Sequence, residues 1–157
     1  MKSFYCFLML CLASFTCLAQ SSGIDIPKEI HFSSEISYDR AEPTVKKCME
    51  WITSHPIDAD PAEHKRLAVY VFKWLDGTDK VSAAIDADLM QYTDQNSRLI
   101  MVFLSAWGLY ELENGKNAAA AKAAGMDALV QSYQNATEKN KDKELEKLIR
   151  KRRKQGK

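Results

Sequence analysis

Ser97-Arg98-Leu99-Ile100-Met101-Val102-Phe103-Leu104-Ser105-Ala106-Trp107-Gly108-Leu109-Tyr110-Glu111-Leu112-Glu113 is the stretch that decides the fold. Leu99 to Leu104 are six apolar residues in a row, Ala106, Trp107, Leu109 and Tyr110 extend them, and Asn114-Gly115 supplies the stop. A helix that is apolar on most sides must be buried by its neighbours. Residues 97 to 113 are therefore expected to form a central helix around which the rest of the chain packs.

Toward the C-terminus, residues 117 to 134 form an Ala-rich helical pattern with Met126, Leu129, Val130 and Tyr133 on one face. Ala119, Ala120, Ala123 and Gly125 leave room for another helix to approach closely. A last helix over about 140 to 153 carries only Leu145, Leu148 and Ile149 as its stripe and belongs at the edge. Toward the N-terminus, Val81, Ile85, Leu89 and Tyr92 favour a short third helix, with an extended start at Val81-Ser82-Ala83-Ala84-Ile85 as the lesser alternative. The second helix has the clearest boundaries: Asp60 as cap, Pro61 at the first position, Glu63 at the third and Gly77 beyond the last turn. Its stripe is Leu67, Tyr70, Val71, Trp74 and Leu75. Val45, Cys48, Met49 and Ile52 mark the first helix at about 43 to 54, with Pro43 suited to its first turn. In residues 20 to 40, Ile24, Ile26, Ile30, Phe32 and Ile36 alternate with polar neighbours, which reads as an extended arm lying on the domain. The expected architecture is an all-α single domain of five or six helices, with the arm at 20–40, the helical body at 41–150 and a basic tail at 151–157.

Residues 1 to 19 read as a cleavable signal peptide. Lys2 gives a positive start, Phe4 to Leu18 carries no charge, and Cys17-Leu18-Ala19 places small residues at the minus-three and minus-one positions of a cut before Gln20. A spanning helix needs roughly 20 apolar residues, and this run stops short at Gln20-Ser21-Ser22-Gly23. The residues before Cys11 and Cys17 lack the small side chain that precedes a lipidated cysteine. The expected destination is the periplasm or the outside of the cell. Three of the four cysteines leave with the signal, so Cys48 has no internal disulfide partner. The remaining length suits one domain that folds on its own core.

Charge is balanced overall at +1, yet residues 139 to 157 hold ten basic and three acidic side chains while the body before them is acidic. Such a tail can meet an anionic partner. Nucleic acid is not expected as a partner, because no basic face is evident on the folded part.

The segment from His55 to His64 gathers His55, Asp58, Asp60, Glu63 and His64, a usable divalent-metal set. Helix ends explain the same residues: Asp60 and Glu63 suit a helix N-terminus, and His55 suits a C-terminus. His64 forms no His-Glu-x-x-His pair. Cys48 lies on an apolar stripe, where a thiol packs rather than attacks. There is no Gly-x-Ser-x-Gly elbow, phosphate loop or dinucleotide fingerprint, so no cofactor is expected. Trp51, Trp74, Tyr92, Trp107 and Tyr110 are the candidates for an aromatic ligand groove, against core packing for the same rings. Gly108, Gly115 and Ala120 fall at small positions of the tetratricopeptide pattern, but Glu111 stands where an aromatic belongs and no second copy follows.

Phe72-Lys73-Trp74-Leu75-Asp76-Gly77-Thr78 through Ile85, Leu99 through Gly115, and Ala124-Gly125-Met126-Asp127-Ala128-Leu129-Val130 through Asn135 resemble a group of small secreted helical proteins of Bacteroidetes with no assigned activity. The Ala19-Gln20 cut is similar to theirs, while Thr78-Asp79-Lys80-Val81 departs from their Pro-Asp-Val before the third helix. The resemblance implies an exported helical fold and no site residues. The expected function is a non-catalytic binding or scaffolding module acting on a protein or small ligand. The alternative is a hydrolase-type enzyme whose carboxylates and histidines meet only in three dimensions.

Overall fold

The hub is a helix whose buried side chains face several neighbours at once. In the computed structural model, which describes residues 22–156, the order is α1 (Glu35–Ser54), α2 (Pro61–Leu75), α3 (Ala87–Thr93), α4 (Arg98–Asn114), α5 (Ala118–Asn135) and α6 (Lys143–Lys154). No strand occurs among the described residues. The fold is all-α, with α4 packed most extensively against α5 and next against α1, while α1 also packs on α2. The signal-peptide reading lies outside the described residues.

Two glycines let the helices come together. A Cβ on Gly125 of α5 would stand 2.8 Å from the ring of Phe103 and 2.9 Å from its carbonyl oxygen, and one on Gly108 of α4 would meet the Met49 methyl of α1 at 2.8 Å. Leu99, Val102, Phe103 and Trp107 of α4 thereby pack with Met49, Ile52, Trp74 and Leu129 in one buried core. The Trp107 ring meets Phe103 edge-on at 5.6 Å.

The first helix corrects the expected boundaries. It begins at Glu35, so residues 35–40 are helix rather than arm, and Pro43 lies inside it. The physical cause is a reciprocal cap: Ser37 N–H donates to Ser34 Oγ at 3.4 Å, and Ser34 N–H donates to Ser37 Oγ at 3.1 Å. Pro43 withholds a helical donor but stands exposed, where its missing N–H costs least. One turn upstream, the Tyr38 carbonyl accepts the Trp74 indole N–H at 3.0 Å, tying α1 to α2.

The third helix settles on the extended alternative. Val81 to Asp86 is non-helical, and α3 starts only after Asp86, whose carboxylate accepts the Leu89 N–H at 2.9 Å. Glu111 of α4 holds the extended stretch by accepting Ser82 N–H and Ser82 Oγ–H, each at 2.6 Å. Burial alone would raise the Glu111 pKa, but these bonds together bring it below the ordinary carboxylate value. The acid at this aromatic position of the repeat pattern therefore has its own structural role.

At the far end, Asp142 caps α6 through the Leu145 N–H at 2.9 Å, and Leu145 is fully buried. The helix continues to Lys154, so residues 151–154 of the expected tail are helical, with Arg152 paired to Asp127 of α5.

Candidate functional site

Trp74 and Trp107 are core residues, so two of the five aromatic candidates cannot line a groove. Trp51 is half-buried and stacked on His55 with ring centroids 4.3 Å apart, while Tyr92 and Tyr110 are half-buried against the core. The five rings do not form one surface. They are spread over four helices, Trp51 on α1, Trp74 on α2, Tyr92 on α3 and Trp107 with Tyr110 on α4.

The metal candidates also part company. His55 Nδ1 lies 2.9 Å from the Trp51 carbonyl at the end of α1. Asp58 accepts three bonds from the far side of the bundle: Thr137 N–H at 2.8 Å, Thr137 Oγ–H at 2.7 Å and Glu138 N–H at 2.6 Å. Burial pushes the Asp58 pKa up, and these donors together outweigh it and lower it. Asp60 caps α2 through Glu63 N–H at 3.0 Å. His64 is 2% exposed, and burial, aided by the nearby Arg98 charge, pushes its pKa down to about 4. Its ring is neutral near pH 7 and Nε2 has no partner. Among the described residues no cluster of three or more His, Cys, Asp or Glu could hold a metal ion. Nearness in sequence did not become convergence in space, because a helix end turns successive side chains in different directions.

Of these residues only Asp58 joins a polar clasp, built mainly by Asn96, Arg98 and Asn140. At one pole, Asn140 N–H donates to Asn96 Oδ1 at 2.9 Å, Asn96 Nδ2 donates to the Asn140 carbonyl at 2.7 Å, and Asn140 Nδ2 reaches the Gln95 carbonyl at 2.9 Å. Arg98 Nη1 donates to the Ile57 carbonyl at 3.1 Å. Together with Asp58, they knit three interhelical loops around an open polar cleft of about 500 Å³.

The arm forms the other concave region. Residues 22–33 run non-helically along α1 and α2 with a bend at Lys28–Glu29, and with Ile24, Ile26, Ile30 and Phe32 turned inward and Asp25, Pro27, Lys28, Glu29 and His31 outward. The Phe32 ring lies 5.1 Å from Tyr38 and 5.7 Å from Tyr70. The far end is latched at α2. Glu63 accepts Arg66 Nε–H and Nη2–H at 2.7 Å each, together with Ser22 N–H at 3.2 Å and the Ser22 hydroxyl, and Arg66 Nη2 also donates to the Ile24 carbonyl at 2.9 Å. Chiefly through the Arg66 bonds, against the opposing effect of burial, the Glu63 pKa falls to about 2.

Beside the arm lies a groove of about 460 Å³ with Ile26, Pro27, Ile30, Ala62 and Val69 as its apolar lining and Lys28, Lys65 and Arg66 at its polar rim. Val69 is 44% exposed, and Phe72, one turn further along α2, is 49% exposed. Sequence reasoning did not single out this groove. The available signal was that Val69 and Phe72 fall off the buried stripe of α2, alongside an arm of alternating pattern.

On the other flank of the arm, His31 and Asp25 line a separate cleft with Arg40 and Tyr70, without a second histidine. Cys48 is buried, and desolvation pushes its thiol up to about 11, which keeps it protonated. Among the described residues no helix is long and apolar enough to cross a membrane. No protein-family model matches the chain, and neither the curated proteins nor the solved structures yield a match.

Proposed function

We propose that the protein is an exported, non-catalytic binding module whose partner is an extended peptide segment with alternating apolar and acidic side chains. The observation that carries this reading is the groove between the arm and α2. Its lining is apolar and includes part-exposed Val69, Phe72 stands part-exposed one turn further along α2, and Lys28 and Lys65 supply positive charge at the rim. Such a surface favours apolar side chains flanked by carboxylates. The arm itself supports an extended partner, since the same helical face already holds two short extended stretches of chain, residues 22–27 and 30–33, through alternate side chains. Among the described residues, arm residues 25–32 make no hydrogen bond to the backbone of another segment, which favours pairing of their donors and acceptors with a partner. Export is supported by the leader at residues 1–19 and by the resemblance to small secreted helical proteins of Bacteroidetes.

Binding of synthetic peptides alternating Leu with Glu, compared with peptides alternating Leu with Lys, tests the reading by fluorescence anisotropy. The acidic set binds, and V69D with F72D weakens it at least tenfold while the protein still melts cooperatively, because each side chain is close to half exposed. Equal affinity for the basic set, or indifference to the double variant, refutes the groove as the binding face.

A further inference from the structure

We infer that α6 is an electrostatic docking helix for an anionic lipid bilayer, separate from the arm groove. Its sequence, Lys143-Glu144-Leu145-Glu146-Lys147-Leu148-Ile149-Arg150-Lys151-Arg152-Arg153-Lys154, divides into two faces when wound as the structure winds it. At 100° per residue, Lys143, Lys147, Arg150, Lys151 and Lys154 fall within roughly 100° of one another. Leu145, Leu148, Ile149 and Arg152 fall on the opposite side. All five cations of the first face are exposed, while Leu145 is buried and Leu148 and Ile149 are half-buried against the core. Arg152 points inward to pair with Asp127 of α5, so the helix is held with its cationic stripe toward solvent.

The stripe is about 16 Å long at 1.5 Å per residue. Acidic neighbours do little to neutralise it. Lys147 to Glu144 spans 3.6 Å and Arg150 to Glu146 spans 3.9 Å, with Lys147 and Arg150 largely exposed, and pairs of that kind are weak. The C-terminal helix dipole accounts for favourable cations in the last turn. It does not account for Lys143 and Lys147, which lie nearer the other end on the same line.

Three features select a lipid surface over another anion. None of the five stripe residues lines a described cleft; the shallow cleft between α5 and α6 is lined by Asp127, Ile149, Arg152 and Arg153 on its other faces. A convex line of charge fits a flat array of headgroups that can rearrange beneath it. Four of the five cations are lysines, compact charges that do not demand the bidentate geometry of arginine. The acidic body does not forbid approach, because charges more than about 8 Å from the surface are largely screened at physiological salt. Leu148 and Ile149 are committed to the core, so the contact is peripheral and reversible by salt.

Co-sedimentation of the chain from residue 20 onward tests this, using phosphatidylcholine vesicles with and without roughly one-third phosphatidylglycerol. Each basic residue near such a surface strengthens partitioning about fivefold. K147Q/R150Q/K151Q/K154Q is expected to lower partitioning at least fiftyfold with an unchanged melting temperature, whereas K47Q/K73Q/K116Q, three exposed lysines elsewhere, changes it less than threefold. Raising salt releases the wild-type protein. Equal binding to pure phosphatidylcholine, equal loss in the two variants, insensitivity to salt, or tighter binding to polyglutamate or duplex DNA than to the anionic vesicles overturns the inference.

Discussion

The α4–α5 hub and the N-terminal arm are stabilised by different means. In the hub, Phe103, Trp107 and Leu129 lose nearly all contact with water, and Gly108 and Gly125 let the helices close to contact distance. Its stability comes from buried area and close packing. The arm keeps Ile24, Ile26, Ile30 and Phe32 only half-buried and depends on a polar latch, Glu63 with Arg66 and Ser22, to hold its far end. The contrast predicts that the centre resists substitution while the arm is released without unfolding the centre. Segments of low local stability are where proteins commonly bind partners.

The largest expected effect tests the hub. Trp107→Ala, at a ring only 5% exposed, should cost roughly 3 to 5 kcal/mol in a denaturant melt. A loss well under 1 kcal/mol would mean that the hub is not packed as described. Next comes the pH dependence of the region joining the two. His64 has a folded pKa of about 4 against an ordinary value of 6.5. The unfolded chain therefore binds more protons between those values. Its contribution is fully present above about pH 6.5 and is lost as pH falls through about 4, by up to roughly 3 kcal/mol. His64→Leu should flatten that part of the stability–pH curve, and an unchanged slope would assign it to other groups.

Smaller effects probe the arm. Glu63→Gln weakens the latch, and with Arg66 substantially exposed the stability change should be near 1 kcal/mol. Amide exchange should quicken at Ser22 to Ile26 while the α4 amides stay protected. If both regions speed up together, arm and hub form one cooperative unit. Smallest of all, deleting residues 151–157 should lower stability by less than about 1 kcal/mol, since Lys151, Arg153 and Lys154 are exposed and the Arg152–Asp127 pair is screened on the Asp127 side, which is 70% exposed. A larger loss would show that the end of α6 supports the core.

Legibility in the sequence followed the length of the pattern. Helices α2, α4 and α5 were readable to within about a residue or two at each end, because Asp60-Pro61, Asn114-Gly115 and the Ala-rich run are local signals. The start of α1 was missed because Pro43 is a strong first-turn marker, whereas the Ser34–Ser37 capping box is weak in sequence and acts only when both hydroxyls face back. The third helix was ambiguous because the extended state of Val81 to Asp86 depends on Glu111, 29 residues from Ser82. Of the candidate site little was legible: the aromatic and metal sets shared sequence neighbourhoods without sharing a place.

Periodicity within a short window carried the all-helical class and the central position of residues 98–114, whereas the alternation expected over the arm holds only up to Phe32 and is broken at Lys28–Glu29. Tertiary structure alone decided where Asp58, Glu63 and Glu111 would be used and which side of α2 would remain open. A carboxylate's role depends on the donors that meet it, and Thr137 reaches Asp58 across 79 positions while Ser22 reaches Glu63 across 41. Hydrogen bonds of that reach exist only after the helices have packed, because hydrophobic periodicity sets which face turns inward but carries no record of which polar group will stand opposite.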